Sequence, residues 1–151
     1  MRPIRFRHRL IAGSLMLLVS YAAAAFDFKT IGAHSVILYD APSTRGGKLY
    51  IAPSGMPVEV VLSYADWVKV RDVTGDMAWT EAKNLSAKRN VIVRVASAKV
   101  RSAPDENAPV VMLAEKNVML ELVDPEAGNW VRVRHRDGIV GYVKASDIWG
   151  I

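Results

Sequence analysis

The chain has 151 residues, 20 Lys and Arg against 15 Asp and Glu, three histidines and no cysteine. The missing thiols exclude disulfide stapling, thiol catalysis and a lipid anchor on an N-terminal cysteine together. Four of the basic residues lie before Phe26 and none of the acids does, so most of the formal +5 charge sits in the first 25 residues. The remainder is close to neutral, and no nucleic-acid partner is expected.

Residues 1–25 have a basic opening (Arg2, Arg5, Arg7, Arg9), an apolar run from Leu10 to Val19, and Tyr21 followed by Ala22 to Ala25. That order is the layout of a secretory signal, with cleavage expected after Ala25. A membrane-spanning helix needs about 20 apolar residues, and this run is far shorter, so no stable membrane anchor is expected. Arg7-His8-Arg9 is not a twin-arginine pair, which points to the general secretion route and a periplasmic or secreted product.

Residues 26–33 read as an N-terminal arm, followed by a first small domain over 34–86. Its elements are a short strand up to Tyr39, a Pro-containing turn (Asp40 to Ser43), and a strand ending at Ser54-Gly55. An apolar strand from Val58 to Leu62 follows. The next strand alternates Trp67, Lys69 and Arg71 against Val68 and Val70, returns through Thr74-Gly75, and leads to a strand bearing Trp79. Residues 82–85 read as a single closing turn. After a linker or strand over 87–97, a second domain over 98–151 repeats this grammar, with Trp130, Arg132, Arg134 and Arg136 opposing Val131, Val133 and His135.

The repeat is close. Asp66 to Asp72 matches Asn129 to His135, and Ala78-Trp79 matches Gly141-Tyr142, at an offset of 63. Upstream the offset is 62, as in Ala41-Pro42 against Ala103-Pro104 and Val58 to Val61 against Leu120 to Val123. One inserted residue near Gly128 reconciles the two, in a turn, where insertion leaves strand faces intact. Short strands separated by Gly, Pro and Asp predict an all-β fold of two small barrels.

Val100-Arg101-Ser102-Ala103-Pro104, Asn129 to Val133 and Asp137 to Val143 resemble the bacterial SH3-like domain, in an exported tandem branch. That family opens on "N-V-R-x-x-P", continues through "W-x-x-V", and ends on "G-W-V". The resemblance implies two tandem SH3-like β-barrels and a role in cell-wall or peptide binding. Copy one departs from the pattern. It has Ser35 to Tyr39 where the opening arginine is expected, and Ala78-Trp79-Thr80 where the final glycine is expected. Ala78 is expected to narrow a close backbone approach, so the two copies need not bind the same thing.

Enzymatic chemistry finds little support. Only His34 and His135 lie beyond residue 25, and no serine sits in a G-x-S-x-G or S-x-x-K setting. No catalytic residues, metal or cofactor are expected. His135 reads as structural. The candidate ligand contacts are aromatic and basic: Trp79, Tyr142, Tyr39, Trp130, Arg132 and Arg134. Core or rim packing is the favoured expectation for Trp67 and Trp130, and Trp149 is expected to staple the C-terminus onto a barrel or a domain interface. The expected function is non-catalytic binding of cell-wall peptide or glycan, or of an envelope protein. The alternative is an assembly protein using the barrels for oligomerisation, and the third reading is a small hydrolase. Oligomeric state and ligand identity stay open.

Overall fold

The computed structural model describes residues 26–124 and 128–151. The expected secretory segment and its cleavage at Ala25 lie outside the described residues.

Alternation of small branched residues with long polar or aromatic ones, strict in Trp67 to Arg71 and Trp130 to Arg134, makes strands with one face to bury. The first seven are β1 (Asp27–Ile31), β2 (Val36–Tyr39), β3 (Lys48–Ala52), β4 (Pro57–Tyr64), β5 (Trp67–Arg71), β6 (Met77–Glu81) and β7 (Leu85–Ser86). They form one antiparallel sheet in the order β3-β2-β6-β5-β4-β1-β7. The next seven are β8 (Asn90–Val93), β9 (Ser97–Arg101), β10 (Val110–Glu115), β11 (Met119–Leu122), β12 (Trp130–Arg134), β13 (Val140–Lys144) and β14 (Ile148–Trp149). Their order, β10-β9-β13-β12-β11-β8-β14, is the first order with every label advanced by seven. The fold is all-β in two tandem barrels, and the expected closing turns are short 3-10 helices at Ala82–Asn84 and Ala145–Asp147.

The stretch read as an N-terminal arm contains β1, which pairs with both β4 and β7 and so belongs to the first barrel. The stretch read as linker or strand contains the strand β8, which pairs with β11 and β14 in the same way. Each barrel therefore opens with its own first strand, ahead of the turn motifs that announce it.

Register confirms where the insertion lies. Glu59 faces Arg71 across β4 and β5, and Glu121 faces Arg134 across β11 and β12. The offset thus changes between β11 and β12, in the connection that contains Gly128. At the hairpin tips, Gly75 (φ +93°) and Gly138 (φ +90°) take the left-handed backbone that a tight return requires.

The two cores are aliphatic. Ile31, Leu38, Val58, Val68, Val70 and Ala78 fill the first; Val91, Val93, Val100, Leu120, Val131, Val133 and Val143 are among those that fill the second. No tryptophan is buried among the described residues.

The barrels meet through β1, β8 and β14. The Phe28 ring stands edge-on to Trp149 at 5.0 Å between centroids, and the Arg89 guanidinium lies 5.6 Å from the Phe28 centroid. Arg89 Nη2 donates to the Gly150 carbonyl at 2.8 Å, and Asn90 Nδ2 donates to the Gly55 carbonyl at 2.8 Å. Trp149 thus staples the domain junction, one of the two placements expected for it. Among the described residues, no helix is long and apolar enough to cross a membrane.

Candidate binding face

Burying the valines of β5 and β12 turns the intervening side chains outward. On the first barrel, Tyr39, Lys69 and Trp79 stand in a row, since Tyr39 faces Trp79 across β2 and β6 and Lys69 faces Trp79 across β5 and β6. The Tyr39 ring stands edge-on to Trp67 at 5.8 Å, and Lys69 Nζ is 6.0 Å from the Trp79 centroid. Trp67, Trp79 and Tyr39 are half-buried on this outer face. The second barrel keeps the geometry with different chemistry: Tyr142 faces both Arg101 and Arg132, and Trp130 faces Lys144. Trp130 and Tyr142 are again half-buried, whereas Arg132 and Arg134 are exposed. Of the core or rim packing expected for Trp67 and Trp130, the structure has the rim, with both indoles half-buried on the outer face. A core filled by short branched residues on the opposite side of each strand has no room for an indole.

The six candidates fall into two groups. Tyr39 and Trp79 belong to the first barrel, and Tyr142, Trp130, Arg132 and Arg134 to the second. Two adjoining grooves of about 290 and 300 Å³ run beside Trp130, lined in common by Glu106, Trp130, Lys144 and Ser146. Lys99, Arg101 and Asp147 extend the first of them. Lys144 pairs with Glu106 and lies 6.0 Å from the Trp130 centroid. Arg101 Nη1 donates to the Ala108 carbonyl at 2.7 Å, which orients its guanidinium, and Nη2 lies 3.8 Å from Glu106. Sequence reasoning did not single out Lys99, Glu106 or Lys144. Repeat alignment carried the signal: Lys144 replaces Glu81 and Lys99 replaces Ile37, so the second face gains charge where the first has none or the opposite sign.

Arg134 is placed apart from Trp130, at the other end of β12, with Nη1 at 3.7 Å from Glu121; Lys88 also reaches Glu121 at 3.4 Å. Arg136 lies beyond the strand in the following turn, so it does not continue the strand row with Arg132 and Arg134. In the first barrel the equivalent pair is closed: Arg71 Nε and Nη2 both donate to one oxygen of buried Glu59, at 2.9 and 2.6 Å.

The glycine of the final strand permits a close backbone approach, as expected of that pattern. A Cβ on Gly141 would lie 2.6 Å from the Arg101 carbonyl oxygen and 2.7 Å from Val100 Cγ1. The close approach is to β9, inside the barrel, and Ala78 is equally buried in the first copy. Difference between the two faces comes from charge, not from this position.

Asp72 organises a turn beside the first face. Tyr50 donates to its carboxylate at 2.8 Å, and Thr74 Oγ1, Thr74 N and Asp76 N donate at 2.6, 2.9 and 3.1 Å. Burial works to raise the Asp72 pKa, but these hydrogen bonds outweigh it and hold the carboxyl below its ordinary value. Burial, then the hydrogen bond and charge of Asp72, push the Tyr50 hydroxyl upward, so it stays a donor. His135 takes the equivalent place in copy two, with Nδ1 accepting from Asp137 N at 3.3 Å, a turn-holding role. His34 is exposed. Among the described residues no group of His, Asp and Glu could hold a metal ion.

The model of the bacterial SH3 domain matches residues 32–87 and again residues 91–150. The chain belongs to this family. Among solved structures, it is similar to NlpC2 and NlpC1 from Trichomonas vaginalis, at 15% and 16% identity and a TM-score of 0.39 for each. These matches cover 87% and 91% of this chain and 50% of each of those. An NlpC/P60 family protein from Bacillus cereus ATCC 10987 is similar at 18% identity and a TM-score of 0.37, over 82% of this chain and 56% of that one. The chain therefore spans about half the length of these structures. No curated protein matches it.

Proposed function

We propose that this tandem bacterial SH3 protein is an exported, non-catalytic binding protein of the cell envelope that recognises cell-wall peptide or glycan. The observation that carries the reading is the groove beside Trp130. An indole lies against a lysine and is flanked by Lys99, Arg101, Glu106 and Ser146. A half-buried indole offers a stacking surface for a sugar ring or an apolar peptide side chain. The lysines and arginine supply donors for carboxylates, and Glu106 accepts from hydroxyl or ammonium groups. Such chemistry holds a ligand without breaking bonds in it. The secretory layout of residues 1–25 supports a periplasmic or secreted location.

Retention of the protein on purified cell-wall sacculi at low and moderate salt is the test. Wild-type protein is expected to be retained above an inert control, and Trp130→Ala to lose most of that retention. Retention equal to the control, or unchanged by Trp130→Ala, contradicts the reading.

A second reading has its own observation. β3 and β10 are the outermost strands of their sheets, and each exposes two large apolar residues at matching positions, Leu49 and Ile51 in one and Val111 and Leu113 in the other. Exposed apolar strands at a sheet edge favour self-association, which is the assembly alternative. Sedimentation separates the two: a stable dimer abolished by Ile51→Lys or Leu113→Lys supports assembly, and a monomer at tens of micromolar excludes it.

A further inference from the structure

We infer that the outer face of β12 is a track for a linear anionic glycan, with a groove at each end. The inference rests on the binding role proposed above and names the ligand class of that face. Trp130 and Lys144 stand at one end of the strand, exposed Arg132 in the middle and Arg134 at the other end. Outward residues on one strand recur about every 7 Å, so Trp130 to Arg134 spans about 13 Å. Beyond Arg134 lies a groove of about 280 Å³ at the junction of the barrels, whose lining includes Lys88, Glu121, Arg134 and Arg136. Glu121 is shared between Lys88 and Arg134 at 3.4 and 3.7 Å, so one carboxylate answers two cations.

The first barrel is an internal control. Along its equivalent line, Arg71 is held by buried Glu59, Lys69 stands over Trp79, Val73 replaces Arg136 and Glu81 replaces Lys144. The same fold, built from the same repeat, carries no cationic track there. Among the described residues Arg132 makes no ion pair, and its guanidinium is available to grip a carboxylate or phosphate through two parallel hydrogen bonds.

A glycan fits this line better than an acidic peptide. β12 lies inside its sheet, bonded to β11 and β13 on its two sides, so its backbone has no edge for an extended peptide to join. A glycan read through its acidic substituents needs none, and its ring faces suit Trp130.

The test is titration of the protein with oligouronates of about two to eight sugars, beside poly-glutamate and neutral dextran. Affinity is expected to rise with length until the track is spanned and to fall with salt. It is expected to weaken about tenfold or more in Arg132→Gln/Arg134→Gln, a loss of charge-assisted hydrogen bonds, while Lys69→Gln binds as wild type. Binding that is independent of length, equal for neutral dextran, tighter for poly-glutamate, or unchanged in the double variant overturns the inference. The two readings fail separately. Sacculi retention that persists undiminished in the double variant overturns the track and leaves the wall-binding role. Length-dependent oligouronate binding without sacculi retention upholds the track and removes that role.

Discussion

Single residues set the difference between two copies of one fold. Asp72 gathers four donors on the first barrel, and His135 holds its turn through the backbone and side chain of Asp137 in the second. Because the Asp72 pKa is depressed in the folded chain, its stabilisation is complete above the unfolded carboxyl value of about 3.9 and is lost as pH falls through the folded value. Denaturant unfolding as a function of pH is expected to show this acid-side loss, and Asp72→Asn to flatten that part of the profile. At neutral pH, Asp72→Ala is expected to cost about 2 kcal/mol, as charged hydrogen bonds are removed and Tyr50 is left without its acceptor. Gly141 answers to sterics. A methyl group 2.6 Å from a backbone oxygen forces β13 away from β9, so Gly141→Ala is expected to destabilise by about 2 kcal/mol in the same assay. If Gly141→Ala leaves the midpoint unchanged, the close approach is not a packing constraint.

At the scale of elements, alternation was readable from the sequence, but the choice between core and rim for the tryptophans was not. The faces of β5 and β12 follow from Trp67-Val68-Lys69-Val70 and Trp130-Val131-Arg132-Val133, and the valine faces are the cores. Large aromatic residues suggest burial on transfer energy alone. Shape decides otherwise, since a small barrel is filled by branched aliphatics and leaves the indoles half-covered outside. β1 escaped the turn-based reading, and β8 was left between linker and strand, because both precede the Pro and Gly punctuation and their pairing with β4 and β11 is set by non-local register. The grooves beside Trp130 required neighbouring strands to be placed side by side, which brings Lys99 and Arg101 of β9 to Lys144 of β13. Charge reversal at this element has a testable consequence. Lys144→Glu, which restores the residue type of Glu81, is expected to weaken sacculi retention several-fold without lowering the unfolding free energy by more than about 0.5 kcal/mol. A large stability loss would instead mark Lys144 as structural.

Across the whole molecule, the junction makes two small barrels depend on each other. Domains near 60 residues are marginal alone; the chain has no cysteine, and among the described residues no group of three or more His, Asp and Glu could hold a metal ion. Phe28 against Trp149 and Arg89, with Asn90 donating to the Gly55 carbonyl, supplies a shared surface. Calorimetry of the wild type is expected to show one cooperative transition. Trp149→Ala is expected to remove about 2 kcal/mol of coupling and to split or broaden it. Two separate transitions in the wild type would mean that the barrels fold independently. The same docking places the β12 face and the junction groove on one continuous surface, through Arg134, which lines the groove.

The proposed function puts the ligand on the second barrel's outer face. Amide chemical shifts mapped on titration with soluble cell-wall fragments test this residue by residue. Shifts are expected to cluster on residues 97–101, 106, 130–136 and 142–147, with the equivalent positions of the first barrel unmoved. Shifts confined to the face around Tyr39 and Trp79, or none at saturating ligand, would contradict it.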